Sequence, residues 1–161
     1  MISCGAFTKN ANSVTIDSSY TIVHASDVND AEAEIYEKFY ELMADRCEGI
    51  EVKDDLSEKE DDICEAEILI GEVDRTESEE VEITSAEKYT IMVVGDKLVI
   101  KAGSTVALDA ACLYFRERID TEGLTLPGDY EYHGEVISSE DFIRFVHLFQ
   151  ITCIDRCRRW Y

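Results

Sequence analysis

Two β-branched runs, Lys88-Tyr89-Thr90-Ile91-Met92-Val93-Val94 and Lys97-Leu98-Val99-Ile100-Lys101-Ala102, are separated only by Gly95-Asp96. A two-residue connection that includes glycine supplies the positive φ a tight hairpin needs. The segment therefore predicts two strands joined by a turn, so whatever fold the chain adopts contains a sheet. Shorter runs extend that sheet. Tyr20 to Ala25 and Ile50 to Lys53 read as strands, and Ala66 to Glu72 is apolar enough to be central. Tyr130 to His133 reads as an edge strand that follows a turn at 124–128.

Helical spacing appears between these runs. Val28, Ala31, Ile35, Phe39, Leu42 and Met43 recur at steps of three and four, with acids on the other sides. This is an amphipathic stripe, opened by Ser26-Asp27 with Asp27 as the expected N-cap and closed near Gly49. Gly103-Ser104 is expected to cap a second helix running to about Asp120, built on Val106, Leu108, Ala111, Cys112, Phe115 and Ile119. Residues 1–17 are polar and irregular and are read as a tether, while 73–78 is read as a loop. Ser138-Ser139-Glu140-Asp141 reads as a capping box. It opens a C-terminal amphipathic helix over 137–161, with Phe142, Phe145, Phe149 and Trp160 on its apolar side.

The chain has 161 residues, enough for one domain with its own core. Its 36 Asp+Glu against 15 Lys+Arg give a formal charge of −21. Such a surface repels phosphate backbones and anionic membranes, which removes nucleic acid as a partner. No apolar run reaches the ~20 residues of a membrane helix. Ile2-Ser3-Cys4-Gly5 is similar to the end of a bacterial lipoprotein cleavage box without its apolar stretch, and on that reading Cys4 is the lipidated residue.

No motif commits the chain to chemistry. The six cysteines include no CxxC pair, and the three histidines lie far from a zinc-ligand pattern. The acidic loop Asp54–Asp62 lacks the glycine that a calcium loop needs at its turn. No nucleophile elbow or phosphate-cradling glycine motif is present, and no cofactor is implied. Glu67 and Glu72 flank the central strand and are the carboxylate pair a glycosidase reading would use. Acids on polar faces stay solvated, so both are expected to face water. Tyr20, Tyr89, Tyr130, Tyr132, Trp160 and Tyr161 would stack on sugars only if grouped on one exposed face.

Several of these segments together resemble a known module. They are Tyr20-Thr21-Ile22-Val23, the acid-rich helix, Glu67-Ile68-Leu69-Ile70-Gly71-Glu72 with Asp74-Arg75, the Gly95-Asp96-Lys97-Leu98-Val99-Ile100 turn and strand, and Gly103-Ser104 with its helix. The set is similar to the small non-catalytic N-terminal domain of family 20 β-N-acetylhexosaminidases and family 67 α-glucuronidases. The resemblance covers about residues 18–121 and extends at most to Val136. It implies an α+β, two-layer fold: a mixed, largely antiparallel sheet with two near-parallel helices on one face. In such relatives the helices are buried against a catalytic barrel that holds the catalytic carboxylates, so no catalytic residue carries over.

The reading is an accessory domain at 18–136 of an extracellular or cell-surface bacterial protein, packing its helical face on a catalytic or other protein domain. The alternatives are a carbohydrate-binding module, a small glycoside hydrolase using Glu67 or Glu72, and an interaction protein using the terminal helix. That helix is expected to fold back over the helical face through Phe142, Phe145, Phe149 and Trp160.

Overall fold

The computed structural model describes residues 13–56 and 63–138. In chain order the elements are β1 (Ser13–Thr15), β2 (Thr21–His24), α1 (Asp30–Ala44), β3 (Glu51–Asp54), β4 (Glu67–Ile70) and α2 (Thr76–Glu79). They continue with β5 (Lys88–Val94), β6 (Lys97–Ala102), α3 (Thr105–Glu122), β7 (Thr125–Pro127) and β8 (Glu131–Glu135). The hairpin forms as its sequence dictates: β5 and β6 pair from Tyr89–Ala102 to Val94–Lys97, and the positive φ of the turn, 65°, falls on Gly95.

Six strands join in the order β3-β2-β4-β6-β5-β8. β2 is parallel to β3 and β4, and β4 is parallel to β6, whereas β5 is antiparallel to β6 and β8. The sheet is mixed, as expected, but three of its five pairings are parallel, so the antiparallel majority is not observed. The cause is that β2, β4 and β6 carry buried apolar residues on both faces and both faces are covered, the condition under which parallel strands occur.

Alternation along β4 divides the core. Ile68 and Ile70 join Ile22, Leu98 and Ile100 beneath α1 and α3. Leu69 points the other way and packs with Val23, Val99, Val73 and Val81. Both long helices lie on the first face, meeting through Phe39 and Phe115 at 6.0 Å between ring centroids. Ala107 and Ala111 are fully buried, and their small size lets α3 sit close to the sheet. The second face is covered by the 73–83 segment, in which the expected loop contains the single turn α2.

Two boundaries differ from expectation. Asn29, not Asp27, caps α1: its Oδ1 accepts from the Ala31 and Glu32 amides at 3.0 Å, and Glu32 Oε2 accepts from the Asn29 amide at 3.2 Å. This reciprocal capping box satisfies amides that the helix start leaves unpaired. The tether also ends earlier than residue 17. Ser13–Thr15 pairs with β7, and Val14 and Ile16 enter the main core beside Leu126.

Candidate functional site

Glu67 overturns the expectation that every acid stays in water. It occupies the position in β4 that shares Leu69's side, so its carboxylate lies under the 73–83 segment with no solvent exposure. Lys97 Nζ lies 2.8 Å from Glu67 Oε2 and Arg75 Nε 3.5 Å from it. Lys97 also reaches Glu77 Oε1 at 3.3 Å. A buried carboxylate requires such paired cations, because desolvation without them costs several kcal/mol. Lys97 is adjacent to Glu67 across the parallel β4–β6 ladder, and Arg75 arrives from the covering segment.

Glu72 belongs to a different environment. It follows β4 with its side chain 70% exposed, and Lys101 Nζ lies 3.1 Å from its Oε2. The two carboxylates are thus held at opposite ends of one strand, each by its own lysine of β6. Four strand steps of about 3.3 Å separate Glu67 from Gly71. Glu67 and Glu72 therefore do not converge on one space as the acid and base of a glycosidase must, about 5–9.5 Å apart.

The remaining sequence candidates have structural partners. His24 Nδ1 lies 2.8 Å from the Ala25 carbonyl oxygen, and its ring stacks on Tyr36. His133 bridges Thr90 Oγ1 at 2.9 Å and Glu131 Oε1 at 2.7 Å on the edge strand. Ser104 caps α3 as expected, accepting from the Ala107 amide at 3.3 Å and donating to the Ala86 carbonyl at 2.6 Å. Tyr20 and Tyr89 are core residues. Tyr132 stacks on Tyr114 at 3.7 Å, and the Arg118 guanidinium sits over Tyr130 at 4.9 Å, so these rings are occupied by one another and by a cation. Burial pushes the Tyr20, Tyr89 and Tyr130 hydroxyls up to about 12 and the Cys112 thiol likewise to about 12. Cys4, Phe142, Phe145, Phe149 and Trp160 lie outside the described residues.

The exposed side of the helical layer is the surface the resemblance singles out. Val106 and Leu113 stand one heptad apart on α3, 69% and 43% exposed, with Ala110 between them. Beside them a groove of about 300 Å³ runs between α1 and α3. Ile35, Phe39, Leu42, Cys112 and Leu113 form its apolar part, and Lys38, Glu41, Asp45, Asp109 and Arg116 rim it. An apolar seam with a charged rim has the anatomy of a protein–protein contact. Among the described residues, no group of three or more His, Cys, Asp or Glu could hold a metal ion, and no helix is long and apolar enough to cross a membrane.

Residues that local patterns missed are Arg75 and Lys97, whose partner Glu67 is brought to them only by the parallel register. The signal available was an acid at each end of the 67–72 run and a lysine at each end of the 97–101 run, two opposite charges on neighbouring strands.

No protein-family model matches the chain, and no curated protein does. Its fold is similar to part of CpGH84D, a glycoside hydrolase family 84 enzyme, with a TM-score of 0.52 and 16% identity over 78% of this chain and 21% of that one. A GH138 enzyme targeting pectin rhamnogalacturonan II aligns at a TM-score of 0.43 and 14% identity over 67% of this chain and 11% of that one. The chain thus spans about a fifth of the length of CpGH84D, and the likeness is one of fold.

Proposed function

We propose that this chain is a non-catalytic accessory domain of a secreted or cell-surface carbohydrate-active system, docking the outer side of α1 and α3 on a catalytic domain. The observation that carries the reading is the Val106–Leu113 seam and the groove beside it, the apolar part of the helical layer that the chain's described residues leave uncovered. Burying such side chains stabilises a contact by about 25 cal/mol per Å². The resemblance of the sequence to barrel-associated domains, and the fold likeness to about a fifth of a glycoside hydrolase, support the choice of partner. The separation of Glu67 from Glu72 supports the absence of a glycosidase pair.

A photo-crosslinker placed at Leu113, with a control at Glu131 on the edge strand, tests the docking face in the producing cell. The expected product is a Leu113-specific adduct with a glycoside hydrolase catalytic domain, abolished by Val106→Glu. Equal adducts from both positions, or none from Leu113, refute the docking face. Hydrolysis of aryl glycosides by the purified chain, lost in Glu67→Gln or Glu72→Gln, refutes the non-catalytic assignment.

A further inference from the structure

The parallel strands β2, β4 and β6 run in one direction and finish side by side, leading into Ala25, Gly71 and the Ala102–Gly103 step. β2 continues through α1 to β3 on one flank, while β4 lies on its other flank. In open sheets the crevice outside the carboxyl ends, where successive connections part to opposite sides, is where small ligands are held. A crevice of about 460 Å³ opens at that place, and its polar wall is Asp27, Glu32, Tyr36, Glu72, Thr84 and Ser104.

Tyr36 gives this crevice a fixed polar contact. Only 7% of the residue is exposed, its ring is stacked on His24, and it lines the crevice. Its hydroxyl has no hydrogen-bond partner among the described residues and is not sealed from solvent, so it is open to a partner in the crevice. Gly71, at φ 85°, makes the arrangement possible, because a Cβ there would overlap the Tyr36 hydroxyl oxygen. Gly103 is equally constrained, its Cβ position being filled by the Ser85 carbonyl. The backbone is therefore drawn close to the Tyr36 hydroxyl at Gly71 and to Ser85 at Gly103.

The charges facing the crevice define what fits. Asp27, Glu32 and Glu72 line the crevice, while two ammonium groups reach its wall from outside: Lys101, which pairs with Glu72, and Lys88, which donates to Thr84 Oγ1 at 3.2 Å. Glu32 is also bound at its rear by the Asn29 amide and faces Thr105 Oγ1 at 3.4 Å, which fixes its position. The wall thus presents acceptors with a net negative potential, and a crevice concentrates such a potential on a cation. We infer that this crevice is a binding site for a small organic ammonium carrying further N–H or O–H donors, with Tyr36 Oη and the Glu32 and Glu72 carboxylates as its polar contacts. The site is on a different part of the molecule from the docking seam and stands without it.

Amide chemical-shift titration of the full chain tests the inference, with glucosamine as a hydroxylated ammonium and putrescine as a bare one. Glucose serves as the uncharged control and calcium chloride as the inorganic cation. Saturable shifts at Gly71, Gly103 and Ser104 are expected with at least one amine, and which amine binds tighter separates the two sources. Tyr36→Phe keeps the ring and is expected to weaken binding about fivefold, the effect of one lost hydrogen bond. Glu72→Gln lies at an exposed position, so its folding is not at risk, and it is expected to weaken the amine by a similar factor. The inference is overturned if neither amine saturates, if glucose or calcium shifts the same amides as tightly, or if Glu72→Gln leaves the affinity unchanged.

Discussion

Replacing Lys97 by methionine isolates what the buried ion cluster contributes. Lys97 and Arg75 side chains are 8% and 7% exposed and Glu67 is fully buried, so solvent screens these pairs little. The substitution removes the nearer cation, at 2.8 Å, and leaves the carboxylate with Arg75 at 3.5 Å. Removing one partner of a buried pair costs about 3–5 kcal/mol. Because Arg75 remains, the expected loss is near the lower figure, about 3 kcal/mol. For a chain of 161 residues each kcal/mol moves Tm by about 2–4 °C, so Lys97→Met is expected to lower Tm by about 6–12 °C. Glu67→Gln in the same background removes the charge left behind. The double variant is therefore expected to be more stable than the sum of the two singles predicts, by about 1–3 kcal/mol. Urea unfolding at pH 7 followed by circular dichroism gives all four corners of the cycle. A Lys97→Met variant within about 1 kcal/mol of the parent, or effects additive to about 0.5 kcal/mol, would refute the claim that Glu67 is held by buried cations.

Three other outcomes follow from the geometry. Asn29→Ala removes the acceptor for two α1 amides and is expected to cost about 1 kcal/mol in the same urea assay, whereas Asp27→Ala leaves the cap intact. The Cys112 thiol, pushed up to about 12 by burial, is expected to resist Ellman's reagent at pH 8 in the folded chain and to react on addition of urea. Tyr20 and Tyr130 ionise near 12 in the fold but near the ordinary 10 when unfolded, so the fold holds their neutral form. Their contribution is fully present below pH 10 and is lost as pH rises through 12, so stability measured by urea midpoint is expected to fall across that interval while absorbance at 295 nm rises.

Much of the architecture was legible because period and punctuation agree. The Lys88–Ala102 hairpin, the cap at Ser104 and the edge strand at Glu131–Glu135 are all local signals, and the structure follows them. What local signals do not contain is partnership across distance. Ser13–Thr15 is three residues long, and only its pairing with Thr125–Pro127 turns it into a strand. The parallel core illustrates the same point from the other side. Ile22-Val23, Ile68-Leu69-Ile70 and Leu98-Val99-Ile100 are continuous apolar runs rather than alternating ones, which is the pattern of strands covered on both faces. That pattern was in the sequence, and it argued for parallel pairing against the antiparallel majority that the family resemblance implied.

Glu67 shows why charge composition misleads at the level of one residue. In a chain with a formal charge of −21, the average acid gains by staying in water. A position in a doubly covered strand has no such freedom, because the backbone pleat fixes which face its side chain takes. Glu67 shares the face of Leu69, and that face is sealed by Val73 and Val81. The carboxylate is then tolerable only because β6 places Lys97 alongside it in parallel register and the sealing segment itself carries Arg75. Cover and counter-charge thus arrive on the same piece of chain. Displacing the 73–83 segment therefore exposes Val73 and Val81 and removes Arg75 from Glu67 in one event, so the apolar and ionic parts of this face stabilise the fold together rather than as independent sums.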